Sequence, residues 1–462
     1  MIDDKGFVSR VLDITGAPGI VESDQHSAYV VDRRGYYEGK ARLIVRPANS
    51  AEVSQIVALC CETGTAIVPQ GGNTGLCGGA TPDGSGNQIL LCLSRMNSIR
   101  EIDTVNYTAT VESGVVLQQL HEAAAGHRLL FPLDMGAKGS CQIGGNLSTN
   151  AGGINVLRYG NARDLVLGLE VVLADGRLWD GMSRLRKDNT GYDLKQLFLG
   201  AEGTLGIITA AVLKLFPAPG KRHTAFIAVR NPSCACELLS FVRRKSGDAV
   251  VSFEYLPRLA LDLVGIDPLQ DVYEHYILLE LISGDGDTLN AQLLEIMLEE
   301  GMESGNIIDG TIAQSESQRS QLWDLRENIP SAQKESVKND VSVPISAVPA
   351  LLVRAAKAVR SIAPGARPCP FGHIGDGNIH YNILGPVDMD PDVFRRDYGQ
   401  LLVDAVSQLT MSMGGSFSAE HGVGQLRRRE LHKYKDQVEI ELMQRIKSAL
   451  DPGGLLNPGK II

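Results

Sequence analysis

Glycine is clustered in this chain, and the clusters constrain the fold more than any other feature of the sequence. Many of the 50 glycines fall within residues 70–87, 136–153 and 372–377 instead of being spread evenly. Glycine lets a backbone turn at positive φ and lets it approach another group closely. We therefore expect backbone to line a large ligand at these places.

The first cluster, QGGNTGLCGG (70–79), directly follows a predicted strand over 66–69. Its peptide N–H groups can surround phosphate oxygens without supplying a cation. No Gly-Lys-Ser/Thr closes the loop and no GxGxxG opens a helix, so neither a P-loop nor a Rossmann dinucleotide site is indicated. A flexible surface loop is the alternative interpretation.

The second cluster, GSCQIGGNLSTNAGG (139–153), mixes small residues with polar side chains. Such side chains are able to bond ribose, phosphate or the edge of a ring. Two loops of this kind exceed what one mononucleotide needs, so the sequence favours a larger cofactor.

The third cluster lies in FGHIGDGNIHYN (371–382), where two histidines flank a Gly-rich reversal. A hairpin closing at Asp376-Gly377 is expected to set His373 and His380 opposite one another, as two imidazoles that share a divalent metal require. Glu420-His421 adds a carboxylate and an imidazole later in the chain. The alternative is a polar hairpin with satisfied histidines, because the spacing is neither that of a zinc finger nor that of HExxH.

Length and charge bound the class of protein. A chain of 462 residues with 44% hydrophobic residues predicts at least two domains. The formal net charge of -10 argues against nucleic-acid partners and anionic membranes. No apolar run approaches the ~18 residues of a membrane-spanning helix, and the N-terminus does not resemble a secretory leader. We therefore expect a cytoplasmic protein without a transmembrane segment.

The pattern of elements changes near Pro217-Ala218-Pro219-Gly220. Residues 1–218 predict one α+β domain that includes a helix over 51–64 with Ser50 as its cap. The following order of strand, helix, strand, strand, helix and strand predicts an antiparallel sheet with helices on one face, like a ferredoxin-type cap. Those elements are expected at 224–230, 232–245, 250–256, 276–282, 287–300 and 306–312, and further helices at 315–329, 347–362 and 391–413.

Six motifs together resemble one known family. In order they are PQGGNTGLCGG, GSCQIGGNLSTNAGG, GAEGTLGIIT, FGHIGDGNIHYN, SAEHGVG and NPGK. They resemble the vanillyl-alcohol-oxidase or PCMH-type flavoproteins, and within them the D-lactate, glycolate and D-2-hydroxyglutarate dehydrogenase branch, over nearly the whole chain. The resemblance implies an α+β fold with a two-subdomain PCMH-type FAD-binding domain (1–218), a ferredoxin-like antiparallel-sheet cap domain with substrate and metal residues (219–415), and a C-terminal segment that returns to the FAD domain (416–462).

The resemblance implies FAD as the cofactor. Covalent family members carry a histidine in the first loop, whereas Val68–Thr74 contains none, so noncovalent FAD is expected, with Cys77 as the other candidate for attachment. The implied FAD-binding residues are Gln70, Gly71, Gly72, Asn73, Thr74, Gly75, Leu76, Pro132, Ser140, Gly144, Gly145, Asn146, Thr149, Asn150, Gly152, Glu202, Gly203, Ile207 and Asn457.

The resemblance also implies a metal site made of His373, His380 and Glu420, with His421 as the catalytic base. A divalent ion on the 2-hydroxyl and carboxylate of a 2-hydroxy acid would lower the pKa of the hydroxyl and align C2–H with flavin N5, which takes the hydride. His421 is suited to accept the hydroxyl proton near neutral pH. Zinc suits these ligands, while Mn, Co and Fe(II) are left open.

The implied substrate-binding residues are Arg326, Lys338, Asn382 and His421. They favour oxidation of D-2-hydroxyglutarate to 2-oxoglutarate, with D-malate as a further substrate. A D-lactate or glycolate dehydrogenase subunit is the alternative, as is a flavin-binding subunit without chemistry of its own. Lys338 is equally consistent with a solvated charge before a strand, and Pro330-Ser331 stands where the family carries a threonine. The expected electron acceptor is an electron-transferring flavoprotein or a quinone-linked carrier, and whether the protein is a homodimer is left open.

Overall fold

The computed structural model describes residues 4–284 and 289–462. These residues form two units. Unit 1 comprises Met1–Gly153, Gly160–Ala218 and Glu420–Ile462, and unit 2 comprises Ile154–Tyr159 and Pro219–Ala419. The chain passes from unit 1 to unit 2 after residue 218 and returns to unit 1 after residue 419. The domain bounds 1–218, 219–415 and 416–462 stay predictions.

Unit 1 contains a parallel sheet with the strand order Leu43–Val45, Ile89–Cys92, Ile67–Gln70. The strands read as nearly continuous apolar runs because both of their faces are buried. The C-terminal segment extends this sheet: the N–H of Ile67 donates to the carbonyl of Leu455 (2.8 Å), and the N–H of Asn457 donates back to Ile67 (2.7 Å).

The helix Ser50–Thr63 packs against this sheet through the buried side chains of Val53, Ile56 and Val57. Its N-cap is Asn49, not Ser50 as predicted, because Asn49 has an extended backbone and its side chain accepts from the N–H of Glu52 (3.0 Å). Gly64 ends the helix at φ 66°, which a residue with a Cβ adopts at a cost.

Unit 1 also contains an antiparallel sheet with the strand order Ile99–Asp103, Thr108–Glu112, Ile207–Lys214, Val166–Val172, Leu178–Gly181. A short antiparallel pair joins Leu129–Leu130 to Phe216–Pro217. The other helices of this unit are Asp4–Thr15, Ser27–Val30, Leu117–Gly126, Ile143–Ser148, Arg428–Tyr434 and Gln437–Leu450, with 3-10 turns at Ala17–Gly19, Ser23–Gln25, Ala162–Leu165 and Leu194–Leu197.

Unit 2 is built on an antiparallel sheet with the strand order Val250–Pro257, His275–Ser283, Lys221–Val229, Ile307–Ile312, which we call the cap sheet. Helices Pro232–Lys245 and Leu289–Glu303 lie between its strands in the chain, so the connectivity is the predicted ferredoxin-like one. The first two residues of the helix predicted at 287–300 lie outside the described residues.

The prediction that helices cover one face of the cap sheet is wrong. Helices Arg258–Val264 and Glu316–Ala332 pack on the second face against Phe226 and Leu278. Consecutive residues of a strand point to opposite faces of the sheet. Phe226 and Ile227 of a central strand are both apolar and buried, so other elements must pack on both faces.

A smaller antiparallel sheet of unit 2 has the strand order Asp340–Ser342, Asn378–Leu384, Arg367–Phe371. The last two strands form the predicted hairpin. Helices Val348–Ile362 and Pro391–Ser412 pack together beside it, and the remaining elements are the helix Val156–Tyr159 and the 3-10 turn Ile345–Ala347. Among helices within the described residues, none combines the length and apolar character needed to cross a membrane.

Candidate active site

A cavity of about 290 Å³ lies in unit 1 between the first two glycine clusters. Glu420 and His421 contribute to its wall as well. The predicted FAD-binding residues in its lining are Gln70, Gly71, Gly72, Asn73, Thr74, Gly75, Leu76, Gly144, Gly145, Asn146, Thr149, Gly152, Glu202, Gly203 and Ile207.

The glycines of this cavity serve two purposes. At Gly72 a Cβ would lie 2.0 Å from the carbonyl oxygen of Ser140, so glycine is required for the two loops to approach each other. At Gly75 and Gly145 a Cβ would meet no atom within 4 Å, so the missing side chain leaves room next to the backbone. A ligand can therefore come close to the peptide groups of both loops.

One lining residue that the sequence did not single out is Gln142. Its side chain is buried, and among the described residues its Oε1 has no hydrogen-bond partner. Buried acceptors are almost always paired, so this atom is suited to a donor on a bound molecule, such as a hydroxyl. This acceptor and the open backbone at Gly75 and Gly145 thus fit a ribityl and pyrophosphate cofactor such as FAD.

Four predicted FAD-binding residues within the described part of the chain lie outside this lining: Pro132, Ser140, Asn150 and Asn457. Asn457 is buried, and its side-chain amide donates to the carbonyls of Gly79 (2.9 Å) and Glu202 (2.7 Å). It therefore joins two loops of the cavity instead of facing it.

Glu202 also connects loops. Its carboxylate accepts hydrogen bonds from the backbone N–H groups of Val423 (2.7 Å) and Gly424 (2.8 Å), two and three residues after His421. Burial raises the pKa of Glu202 to about 7, against the opposing effect of these two N–H groups. A Cβ on Gly422 would lie 2.7 Å from the Glu202 Oε1, so the chain after His421 is tightly constrained.

His421 and Glu420 are neighbours on the cavity wall. The His421 Nε2 lies 3.7 Å from the Glu420 Oε1, and both side chains are about three-quarters buried. This places a partly exposed imidazole beside the two glycine-rich loops of the cavity, where it can accept a proton from a bound molecule.

In unit 2 the structure brings His373 and His380 together, with ring centroids 5.5 Å apart. The predicted pairing across the hairpin is wrong, because Phe371 is the residue opposite His380. The chain leaves the hairpin at Gly372, whose N–H and carbonyl both bond to Tyr255 of the cap sheet. His373 therefore sits in the turn, held against the cap sheet.

Each histidine has a carboxylate beside its Nδ1. The His373 Nδ1 is 2.6 Å from the Glu254 Oε1, and the His380 Nδ1 is 3.5 Å from the Asp340 Oδ1. Carboxylates in this position orient metal-binding histidines and leave Nε2 to face the metal. This arrangement favours the metal interpretation of the hairpin over the purely structural one.

Each predicted substrate-binding residue of unit 2 donates a hydrogen bond to another residue of the same unit. Arg326 is buried, and its Nε donates to the Glu254 Oε2 (2.6 Å), while its guanidinium carbon lies 4.8 Å from the centre of the Phe371 ring. Lys338 is half-buried and its Nζ donates to the carbonyl of Gln333, so it is not a fully solvated charge. Asn382 is buried and donates to the Gln333 Oε1 (2.8 Å).

The comparisons with known proteins agree with this geometry. The family model for the FAD binding domain matches residues 41–181, and that for the C-terminal domain of FAD linked oxidases matches residues 215–461. A protein of Oryza sativa subsp. indica named probable D-2-hydroxyglutarate dehydrogenase, mitochondrial, is 39% identical over 98% of this chain and 81% of its own length. The chain belongs to the FAD-linked oxidases of the D-2-hydroxyglutarate dehydrogenase family.

Other members of the family are similar over comparable lengths. The D-2-hydroxyglutarate dehydrogenase of Xanthomonas citri pv. viticola is 38% identical over 90% of this chain and 88% of its own length. Among solved structures, p-cresol methylhydroxylase has a TM-score of 0.74 at 16% identity, covering 99% of this chain and 96% of that one, and shows the shared fold. The resemblance, the α+β fold class and the prediction of an FAD-dependent oxidoreductase are confirmed.

Glu254, which contacts both His373 and Arg326, was not predicted from the sequence. Glu254 lies in the largely apolar strand Val250–Pro257 and is 1% exposed. A lone acidic residue within an apolar strand was the available signal, since a buried carboxylate requires partners. Its partners could not be identified from spacing, because His373 lies 119 residues away.

Proposed function

We propose that this chain oxidises D-2-hydroxyglutarate to 2-oxoglutarate. The observation that carries the proposal is the combination of a relative named D-2-hydroxyglutarate dehydrogenase at 39% identity over 98% of the chain with a buried arginine held near the predicted metal histidines. D-malate is a further substrate of the same class. A D-lactate or glycolate dehydrogenase is the second candidate, because it would need the same FAD loops and the same metal residues.

FAD, when bound, accepts the hydride from C2 of the substrate. The chain's own contribution is the pair of loops Gly71–Gly75 and Gly144–Thr149, which line the cavity and leave space beside the backbone at Gly75 and Gly145. We propose that FAD is held without a covalent bond, since the loop over 68–74 carries no histidine.

The proposed base is His421. Its imidazole lies in the wall of the same cavity, and the loop that follows it is held by Glu202. Positioning by Glu202 keeps the imidazole in one place, so it can take the proton of the substrate hydroxyl without a prior rearrangement.

The proposed metal ligands are His373, His380 and Glu420. A divalent ion would supply Lewis-acid stabilisation of the substrate oxygens. Inside unit 2, Glu254 and Asp340 would orient the two imidazoles. Zinc is the ion that two histidines and one carboxylate fit best, and Mn, Co and Fe(II) are compatible with the same ligands.

The proposed tail-binding residues are Arg326 and Lys338. A guanidinium binds a carboxylate through two parallel hydrogen bonds, and an ammonium adds a point charge. A five-carbon diacid presents a second carboxylate that can use both groups, whereas D-lactate has none. Asn382 lies two residues after His380 on the same face of its strand, where it supports the site through Gln333.

The remaining proposals concern the cellular setting. The electron acceptor would be an electron-transferring flavoprotein or a quinone-linked carrier, and the protein would form a homodimer. A cytoplasmic location stays a prediction, and the rice relative is named as mitochondrial.

The deciding experiment is anaerobic reduction of the purified yellow protein. D-2-hydroxyglutarate should bleach the flavin absorbance within the time of mixing, and D-lactate should do so more slowly at equal concentration. Bleaching by D-lactate or glycolate without bleaching by D-2-hydroxyglutarate would transfer the assignment to the second candidate.

A further inference from the structure

Glu254 lies between the predicted metal ligand His373 and the predicted substrate arginine. Its Oε1 is 2.6 Å from the His373 Nδ1, and its Oε2 accepts from the Arg326 Nε at 2.6 Å. The Glu254 side chain is 1% exposed. One inaccessible carboxylate thus contacts a group expected at each end of the substrate.

The backbone holds this carboxylate in register with His373. Tyr255, next to Glu254, exchanges two hydrogen bonds with Gly372, next to His373 (2.8 and 3.0 Å). The N–H of Gly375 donates to the carbonyl of Phe253 (3.1 Å). Residues on both sides of Glu254 are therefore tied to residues on both sides of His373, and the contact does not depend on the two side chains alone.

The carboxylate also determines which nitrogen of His373 carries the proton. An ionised carboxylate only accepts hydrogen bonds, so the Nδ1 of His373 is the N–H donor and the lone pair of the neutral imidazole is on Nε2. Metal ligation needs that lone pair. The Arg326 guanidinium is fixed by the same carboxylate and by the face of the Phe371 ring.

We propose that Glu254 is a positioning residue that couples the two ends of the substrate site, by setting the metal-binding tautomer of His373 and by fixing the guanidinium of Arg326. The spacing between the group that binds the reacting end and the group that binds the tail then depends on one rigid side chain. This inference rests on the proposed function, which supplies the metal and the diacid.

Glu254→Gln tests the inference with little change of shape. A glutamine can offer its oxygen to the Arg326 Nε or to the His373 Nδ1–H, but its amide nitrogen then faces the other donor. When the amide nitrogen faces His373, the ring must carry its proton on Nε2 and cannot bind metal in that form.

Glu280→Gln is the matched control. Glu280 lies on the neighbouring strand of the cap sheet and is 1% exposed. It accepts from Arg222 (2.6 Å), Arg319 (2.8 Å) and Trp323 (2.8 Å), with no histidine among these partners. The two variants therefore remove the same charge from a buried, arginine-paired glutamate in the same sheet.

The measurement is Co²⁺ binding to the chelator-treated, FAD-loaded protein, followed by its absorbance spectrum. Glu254→Gln should weaken Co²⁺ binding by about 10- to 100-fold, the usual effect of losing a group that orients a ligand. Glu280→Gln should keep the wild-type affinity. Glu254→Asp keeps two acceptor oxygens and should recover part of the affinity, and it serves as the test if the glutamine variant is not obtained folded.

A second readout separates the two roles of Glu254. The ratio of kcat/KM for D-2-hydroxyglutarate to that for D-lactate should fall in Glu254→Gln, because a neutral amide holds the Arg326 guanidinium less firmly than a carboxylate does. Equal Co²⁺ affinity in the wild type and Glu254→Gln would overturn this inference and leave the proposed metal function standing. Equal losses in Glu254→Gln and Glu280→Gln would overturn it as well, whereas a wild type that binds no Co²⁺ would overturn the proposed metal function with it.

Discussion

Two buried glutamates, one in each unit, have opposite surroundings. Glu254 of unit 2 is paired with side chains: burial alone would raise its pKa, but its interactions with His373 and Arg326 outweigh this and hold the pKa well below its usual range. Glu202 of unit 1 is bonded to backbone N–H groups, and burial raises its pKa to about 7. No side-chain cation within the described residues is bonded to Glu202.

The difference indicates what each carboxylate can hold in place. An ion-paired carboxylate fixes the orientation of other side chains, here an imidazole and a guanidinium. A carboxylate on peptide N–H groups fixes the path of a loop, here the residues after His421, where Gly422 and Gly424 have φ of 77° and 51°. Side-chain positioning in unit 2 and loop positioning in unit 1 are thus two separate solutions to the same need for pre-organisation.

The largest expected effect is at the loop that Glu202 holds. His421→Asn should lower kcat by ~10² to 10⁴, the usual contribution of a positioned base, while FAD stays bound because the glycine loops are unchanged. His432→Asn, an exposed histidine later in unit 1, is the control and should leave kcat unchanged. Steady-state kinetics with D-2-hydroxyglutarate measure both, and a kcat near the wild type in His421→Asn would mean that another group takes the proton.

Truncation of each glutamate to alanine tests the difference between their surroundings. Glu254→Ala leaves the guanidinium of Arg326 buried without this carboxylate and should lower the free energy of unfolding by about 3–5 kcal/mol. Glu202→Ala leaves two N–H groups beside a cavity that water can enter, so its loss should be only about 1–3 kcal/mol. Urea denaturation followed by circular dichroism measures both. A larger loss for Glu202→Ala would contradict the distinction drawn between the two sites.

The arginine held by Glu254 should act on the tail of the substrate. Arg326→Ala should cost about 2–4 kcal/mol in kcat/KM for D-2-hydroxyglutarate and far less for D-lactate, which lacks the distal carboxylate. Arg319→Ala, on the same helix but paired with Glu280, should not change the ratio of the two substrates. If Arg326→Ala reduces both substrates equally, Arg326 acts on the reacting end and the five-carbon assignment loses its main support.

The smallest expected effect is the pH dependence that Glu202 confers. Its pKa is about 7 in the folded protein and 4.5 in a solvated glutamate, so between these values the folded state binds more protons than the unfolded one. The unfolding free energy therefore decreases as pH rises through this window and levels off above pH about 7. Glu202→Gln cannot ionise and should lack this decrease.

Unfolding of the FAD-free protein at several pH values measures this contribution, because a bound anionic cofactor would add its own charge. The unfolding free energy of the wild type minus that of Glu202→Gln should fall by about 2 kcal/mol from pH 5 to pH 8. A constant or rising difference would show that Glu202 is ionised throughout, and the contrast with Glu254 would then disappear.

Sequence reasoning located the loops of the site but not all of the residues that organise it. The glycine clusters, the two hairpin histidines and Glu420-His421 were predicted from local patterns, and the structure gathers the first two clusters around one cavity. The pairing of His373 with His380 across the hairpin was wrong, because the backbone of Gly372 bonds to a strand of the cap sheet instead. Gln142 could not be singled out from the sequence, because a buried acceptor without a partner among the described residues is visible only when its surroundings are known.

By itself, the sequence determined which segments would be turns, strands and helices, where glycine permits close approach, and which family the motifs belong to. Those properties depend on residues near one another in the chain. The tertiary structure decided that Glu254 meets His373 and Arg326, that helices cover both faces of the cap sheet, and that Glu202 holds a loop more than 200 residues later. The physical reason is that burial and partner choice arise only when distant segments pack, so a glutamate in an apolar strand and one in a glycine-rich loop acquire opposite pKa shifts that neither local sequence encodes.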